Sequence, residues 1–332
     1  MGAPAIPLPS MAPSSAIFVA GHRGMVGSAI LRRLQADRYT NLLTQSRAEL
    51  DLTQADAVFR FFEAQRPEYV FLGAAKVGGI LANATYPADF IRDNLAIQWN
   101  VIEASRRTGV RRLLFLGSSC IYPRDCPQPI KEEYLLTGPL ERTNQAYAVA
   151  KIAGIEMCRS YNQQYGTRFL SVMPTNLYGP GDNFDPVTSH VLPALLRRVH
   201  EAKREGRPAI VVWGTGQARR ELLYSEDLAD AVVFLMNLPD AAFQECCRLD
   251  PPLLNIGCGE DRTIAELVEM VMETVGYRGR VEYDPSKPDG TPRKLLDIGR
   301  MRALGWSPRT PLREGLARFY NAFLEEHFSG HV

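Results

Sequence analysis

This sequence predicts an α/β protein: a Rossmann-type parallel sheet with helices on both faces, followed by a smaller C-terminal α/β unit. Three observations carry that expectation. Short apolar runs alternate with amphipathic stretches at the spacing of βαβ units. A glycine-rich loop stands between the first apolar run and its helix. After Pro174 the texture turns loop-rich, with Gly179, Pro180, Gly181, Pro186 and Pro193 close together, which marks a change of unit.

Residues 1–15, MGAPAIPLPSMAPSS, read as a disordered tail. They lack the basic and apolar regions of a signal peptide, and Ile6 stands where a myristoylation signal wants Ser or Thr. Ala16 to Ala20 is the first strand, and Ala29, Ile30, Leu31 and Leu34 mark its helix. Leu42-Leu43 suggests a second strand, Val58 to Phe62 a helix, and Tyr69 to Leu72 a third strand. Ala96 to Ser105 is helical, Arg112 to Leu116 is a buried strand, and a long helix from about Tyr147 to Tyr165 leads into the strand Phe169 to Met173. Residues 16–175 therefore form the expected dinucleotide-binding unit. Residues 176–332 form mainly the second, with a helix from about Pro193 to Glu205, a strand Ala209 to Trp213, a helix through Ile264, Leu267 and Val271, a strand Val281 to Tyr283, and a helix Leu312 to His327. The helix Asp227 to Leu238 is apolar enough to pack back on the first sheet, so a return segment is expected near 222–256.

Composition narrows the function. The 332 residues are 45% hydrophobic and 23% charged, and Lys+Arg 38 against Asp+Glu 37 leaves a net charge of +1. That balance gives no electrostatic footprint for nucleic acid or an anionic membrane. No run approaches the roughly 18 apolar residues of a membrane span. Six cysteines, none in a C-x-x-C pair, point to a reducing, cytoplasmic setting without a disulfide framework and without metal.

Two local patterns carry chemistry. Gly21-His22-Arg23-Gly24-Met25-Val26-Gly27 is a G-x-x-G-x-x-G loop in strand–loop–helix context, where backbone N–H groups can meet a pyrophosphate. NAD sites usually place an acid at the end of the second strand, but here the sequence reads Thr44-Gln45-Ser46-Arg47. Arg47, helped by Arg23, favours the 2′-phosphate of NADP. Tyr147 and Lys151, at i and i+4, share one helical face. They lie one βα unit beyond the strand that ends in Leu116-Gly117-Ser118, and a neighbouring ammonium is expected to lower the tyrosine pKa toward proton transfer near neutrality. Ser118 can give a second hydrogen bond to a carbonyl.

These residues resemble the short-chain dehydrogenase/reductase superfamily in its extended form. Further blocks sharpen the likeness: Ala-Ala-Lys-Val-Gly-Gly-Ile (74–80), Gly-Ser-Ser-Cys-Ile-Tyr-Pro (117–123), Met-Pro-Thr-Asn-Leu-Tyr-Gly-Pro (173–180), Ser-His-Val-Leu-Pro-Ala-Leu (189–195) and Lys-Pro-Asp-Gly-Thr-Pro-Arg-Lys (287–294). They are similar to those of members that act on GDP-linked 4-keto-6-deoxy sugars, and the likeness covers nearly all of the chain after the tail. The resemblance implies 3,5-epimerisation of GDP-4-keto-6-deoxy-D-mannose and then NADPH-dependent reduction at carbon 4 to GDP-L-fucose. It implies Ser118, Tyr147 and Lys151 at the carbonyl, Cys120 as base and His190 as acid. Leu116, Gly117, Pro174, Thr175, Asn176, Leu177 and His190 would join the glycine loop, Arg47, Ser118 and Lys151 around the cofactor. Asn176, Arg198, Trp213, Arg220 and Asp289 would meet the GDP-sugar.

A homodimer is expected because Val149, Ile152, Ile155 and Met157 give the long helix more apolar surface than one sheet face covers. Three other readings stand beside this one. A 4-epimerase shares the Tyr147/Lys151 pair but keeps NAD bound, which Arg47 opposes. A 4,6-dehydratase would want Asp-Glu where this chain has Ser119-Cys120. A non-catalytic NADP sensor would not need an intact Ser118, Tyr147 and Lys151.

Overall fold

The computed structural model describes residues 11–185, 188–287 and 289–328. In chain order β1 (Ile17–Ala20) leads into α1 (Met25–Ala36), β2 (Leu42–Leu43), α2 (Ala55–Gln65), β3 (Tyr69–Leu72), α3 (Ile80–Thr85), α4 (Pro87–Thr108), β4 (Arg112–Leu116), α5 (Gln145–Tyr165) and β5 (Phe169–Pro174). Next come β6 (Asn176–Tyr178), α6 (Val191–Arg204), β7 (Ala209–Trp213), β8 (Arg219–Tyr224), α7 (Ser225–Met236), α8 (Asp240–Cys247) and β9 (Leu253–Ile256). The chain closes with β10 (Asp261–Thr263), α9 (Ile264–Val275), β11 (Arg280–Asp284), β12 (Arg293–Lys294), α10 (Gly299–Ala303) and α11 (Leu312–Phe328).

Six parallel strands form the main sheet in the order β2-β1-β3-β4-β5-β9. Strands β1, β3, β4, β5 and β9 are buried along their whole length. That explains their largely apolar runs, broken only by Arg112, Ser171 and Asn255, since both faces of a parallel sheet are covered. One face packs with α1 and α7 around Ala29, Ile30, Leu34, Leu228 and Val232. The other packs with α2, α4 and α5 around Val58, Phe62, Val101 and Ile155. The order reverses between β1 and β3, and the carboxyl ends of β1, β3, β4 and β5 share one edge, where ligands of open α/β sheets bind. A third core gathers α6, α9 and α11 with β7 and β8 around Leu196, Val212, Leu267 and Phe319. There β8 pairs with β10, β12 and β6, and β7 pairs with β11.

The ordered chain starts earlier than expected. Met11 is fully buried, and its N–H donates to Asn237 Oδ1 at 3.2 Å, while Thr40 N–H donates to Pro13 O at 2.9 Å. Residues 11–15 are thus held by the burial of Met11 and Ser15 and by backbone hydrogen bonds; the rest of the expected tail, residues 1–10, lies outside the described residues. The apolar face expected on α5 also differs. Ile152 and Ile155 are buried against the sheet, and the large hydrophobic side chains left exposed on α4 and α5 are Trp99, Val149 and Tyr165. Among the described residues no helix is long and apolar enough to cross a membrane.

Candidate active site

The glycine loop is shaped by contacts that no side chain would allow. Gly21 has φ 89°, and a Cβ on Gly27 would lie 2.1 Å from Gly21 O. Gly24 caps α1 without a side-chain hydrogen bond, which leaves first-turn N–H groups free for an anion. This cradle fits a dinucleotide pyrophosphate. Beyond it, Arg23 is exposed, and Arg47 has an 81% exposed side chain, loosely paired with Asp51 at 4.0 Å. No acid stands at the end of β2, but one lies on the turn that follows it. Glu49 folds back to accept from Ser46 N–H at 2.7 Å, and its charge reaches both His22 and Arg23. It escaped sequence reasoning because it stands on the turn after the strand rather than at the strand's end.

At the carboxyl end of β4, Leu116 and Gly117 lead to Ser118, whose oxygen accepts from Cys120 N–H at 3.3 Å. Helix α5 comes close because residue 154 is glycine: a Cβ there would meet the Phe115 ring at 2.5 Å. That approach sets Lys151, only 3% exposed, beneath the sheet edge, where Nζ donates to Leu116 O at 2.8 Å. Tyr147 lies beside Ser118 and Cys120 and packs edge-on against Phe90.

The electrostatics correct one expectation. Tyr147 was expected to be acidified by its lysine, but burial, and then the neighbouring Cys120, push the phenol up. Burial pushes Lys151 down to about 7. The reason is geometric: the lysine nitrogen is 5.8 Å from the Tyr147 ring centre and is committed to a backbone carbonyl.

Cys120 lies in the short turn after Ser118, with Lys294 Nζ donating to its Sγ at 3.5 Å. Burial alone would raise this thiol. The Lys294 charge and hydrogen bonds from Ser118, Lys294 and Asn144 outweigh it and hold the thiol below its ordinary value. The other five cysteines go the opposite way: burial raises Cys126, Cys158, Cys246, Cys247 and Cys258. Lys294 was missed in the sequence because its partner is 174 positions away; the only signal was its place at the end of the 287–294 block. His190 is the N-cap of α6. Solvent reaches the ring, but desolvation by the cleft wall, and then the Lys294 charge, hold the imidazole below its ordinary value.

From the end of β5, Pro174 registers with Ile256. Thr175 Oγ1 and Asn176 Nδ2 donate to Glu221 O at 3.4 and 3.1 Å, and Leu177 packs against the first core. Farther out, Arg198 donates to Val211 O at 2.5 Å. With Trp213, Arg197, Glu201 and Arg207 it lines an open cavity of about 340 Å³. Arg220 donates to Thr291 O at 2.6 Å and Asp289 O at 3.3 Å. Both Asp289 carboxylate oxygens accept from Thr215, at 2.7 and 2.8 Å, so this side chain ties two loops together. The structure thus groups Ser118, Cys120 and Tyr147 tightly, with Lys151 beneath them. It pairs Arg198 with Trp213 and Arg220 with Asp289, and leaves Arg47 on the surface. No cluster of metal-ligating side chains occurs among the described residues.

A family model described as the NAD dependent epimerase/dehydratase family matches residues 17–257. A probable GDP-L-fucose synthase 1 of Oryza sativa subsp. japonica is 55% identical over 314 residues, 94% of this chain and 93% of that protein. GDP-L-fucose synthase of Escherichia coli K12 is 53% identical over 309 residues, 93% of this chain and 96% of that protein. Among solved structures, a GDP-D-glycero-L-gluco-heptose synthase from Campylobacter jejuni, determined in the presence of NADPH, superposes with a TM-score of 0.88 at 38% identity, covering 94% of this chain and 99% of that one.

Proposed function

The chain belongs to the NAD dependent epimerase/dehydratase family, and within it we propose a bifunctional epimerase-reductase that converts GDP-4-keto-6-deoxy-D-mannose to GDP-L-fucose. It inverts carbons 3 and 5 and then reduces carbon 4. The observation that carries this reading is Cys120. Its thiol, two residues past Ser118, has the Lys294 ammonium at 3.5 Å and is held below its ordinary pKa, which supports a proton-abstracting role beside a carbonyl.

A ketone oxygen held by Ser118 and Tyr147 acidifies the hydrogens on both neighbouring carbons, because the enolate charge moves onto that oxygen. Cys120 takes a proton from one face: the C–H pair passes toward the oxygen and an S–H bond forms. His190 delivers a proton to the opposite face, its N–H bond breaking as the new C–H bond forms. The productive form pairs a thiolate with an imidazolium, so epimerisation follows a bell-shaped pH profile.

NADPH supplies the hydride for the reduction. Burial keeps Tyr147 as the phenol, the form that gives its proton to the alkoxide, and Lys151, once protonated, stabilises the phenolate left behind. The glycine loop holds the pyrophosphate, with Leu116, Gly117, Pro174, Thr175 and Leu177 along the cofactor. Arg23 and Arg47 favour the 2′-phosphate, and Glu49 opposes them. Arg198 and Arg220 neutralise the GDP diphosphate, with Trp213, Asn176 and Asp289 completing the sugar-nucleotide site.

The enzyme works as a homodimer through α4 and α5, whose exposed Trp99, Val149 and Tyr165 support that surface. Its six unpaired cysteines suit a cytoplasmic setting. The test is a proton NMR product assay with GDP-4-keto-6-deoxymannose. NADPH should give GDP-L-fucose faster than NADH does; a product with unchanged configuration at carbons 3 and 5 would reject the epimerase half.

A further inference from the structure

Lys294 ends a strand of two residues, yet its position is fixed from several sides. It registers with Arg220 across β12 and β8. Its neighbour Arg293 is bonded to the buried Asp261 at 2.5 Å. On the other side, Leu295 N–H donates to Gln128 Oε1 at 2.9 Å, and Leu296 N–H to the fully buried Glu221 carboxylate at 2.9 Å. The ammonium is therefore carried to the Cys120 sulfur by a stitched backbone, not by a free surface side chain.

The other charges around the sulfur are already matched. Arg124 and Glu141, which line the same small cavity, pair with each other at 3.6 Å. Arg293 pairs with Asp261, and Lys151 is directed at Leu116 O. The phenol of Tyr122, which lines the cavity, is committed to Asn255 Oδ1 at 2.6 Å, and the Lys294 charge also reaches the Cys126 thiol, which burial raises. The phenol of Tyr147 and the imidazole of His190 are the other titratable groups near the Cys120–Lys294 pair. Among the described residues Lys294 makes no ion pair with a carboxylate, and its one hydrogen bond is to Cys120 Sγ. A thiolate is the counter-ion that this arrangement provides for.

We propose that Lys294 is a positioning residue for the proton transfers, its ammonium holding Cys120 as the thiolate that takes the sugar's carbon-bound proton. This rests on the epimerase reading above. The same charge disfavours the imidazolium of His190, so one cation acts on both partners in the same direction. Thiolate formation becomes easier, imidazolium formation becomes harder, and the working pH range of the pair moves down. Removing the charge raises both pKa values, so the whole profile moves up rather than narrowing or collapsing. A purely structural role for Lys294 would lower the amplitude and leave the midpoints in place.

The experiment follows Cys120 alkylation by iodoacetamide, quantified by peptide mass spectrometry from pH 5 to 10, in the wild type, Lys294→Met and Lys294→Arg. In parallel it follows the pH profile of solvent deuterium entry at carbons 3 and 5 of GDP-4-keto-6-deoxymannose. The alkylation midpoint in Lys294→Met should rise by about 1–3 pH units, the usual effect of an adjacent opposite charge. Both limbs of the exchange profile should rise with it, and Lys294→Arg should stay near the wild type. An unmoved alkylation midpoint in Lys294→Met would overturn the proposal, as would Lys294→Arg behaving like Lys294→Met. If the wild type itself leaves carbons 3 and 5 unlabelled, the epimerase reading falls, while the alkylation midpoint still decides whether Lys294 holds the thiolate.

Discussion

Two of the chain's six lysines approach the same carbonyl site from opposite sides and meet opposite fates. Lys151 is buried under the end of β4, satisfied by one backbone carbonyl and pushed down to about 7 by desolvation. Lys294 is half-buried across the cleft, beside a thiol whose pKa its charge helps to lower. Residue type alone therefore says little about charge. Lys151 meets a neutral dipole that cannot repay the loss of water, whereas Lys294 meets a group that can take the opposite charge. In the mechanism proposed above the first lysine serves the reduction and the second the epimerisation, and each can be perturbed without touching the other's hydrogen-bond partner.

The largest effect is expected on the buried side. Lys151→Met should slow carbonyl reduction by about 10²–10⁴-fold, the range of a lost acid–base contribution, while the alkylation midpoint of Cys120 stays where it is; a shift of that midpoint would mean that the two lysines are coupled. The same variant reads the burial directly. A lysine whose folded pKa is lowered to about 7 binds fewer protons folded than unfolded between that value and its ordinary 10.5. Its unfavourable contribution therefore fades as pH rises through this window. In urea unfolding, the stability gap between Lys151→Met and wild type should narrow from pH 7 to pH 9.5 as the wild type recovers; a constant gap would deny the shifted pKa.

An exposed cation makes a third case, of smaller effect. Arg47→Ala should weaken NADPH binding about tenfold through loss of a charge-assisted contact and leave NADH nearly unchanged, as fluorescence titration would show. Equal losses for both cofactors would remove Arg47 from the 2′-phosphate site. The smallest effect on the chemistry is expected from a change that presses on the seat of Lys151. Gly154→Ala puts a methyl into the Phe115 ring and should cost about 1–3 kcal/mol of stability by overpacking, with reduction more impaired than exchange. Wild-type stability would show that α5 can shift without penalty.

What the sequence disclosed was local. The strands at Ile17, Tyr69, Arg112 and Phe169 announced themselves because burial on both faces selects largely apolar runs. The glycine loop and the Tyr147/Lys151 spacing were likewise readable within a few residues. β8 was hidden because it carries Arg219, Arg220 and Glu221, whose polar groups are satisfied by partners far along the chain. β9 was hidden because four residues, Leu253-Leu254-Asn255-Ile256, between prolines and glycine do not by themselves name a sixth strand. Glu49 came to the site through a local turn that folds it back on Ser46, and Lys294 through tertiary placement. The sign of the Tyr147 shift was misread for the same reason: helical spacing puts Lys151 on the right face, but only the packed structure sends its nitrogen to Leu116 O.

The division of labour between the two halves of this cleft is tested most directly by deuterium exchange at carbons 3 and 5, measured beside carbon-4 reduction, in Cys120→Ser and Tyr147→Phe. Cys120→Ser replaces an ionisable thiol with a hydroxyl too weakly acidic to act as a base. It should nearly abolish exchange while Tyr147 still supports reduction of the unepimerised ketone. Tyr147→Phe should cut reduction by several orders of magnitude, about 10²–10⁴-fold, and retain measurable exchange through Cys120. Wild-type exchange in Cys120→Ser, or equal loss of both activities in both variants, would contradict the account and return Cys120 to a packing role.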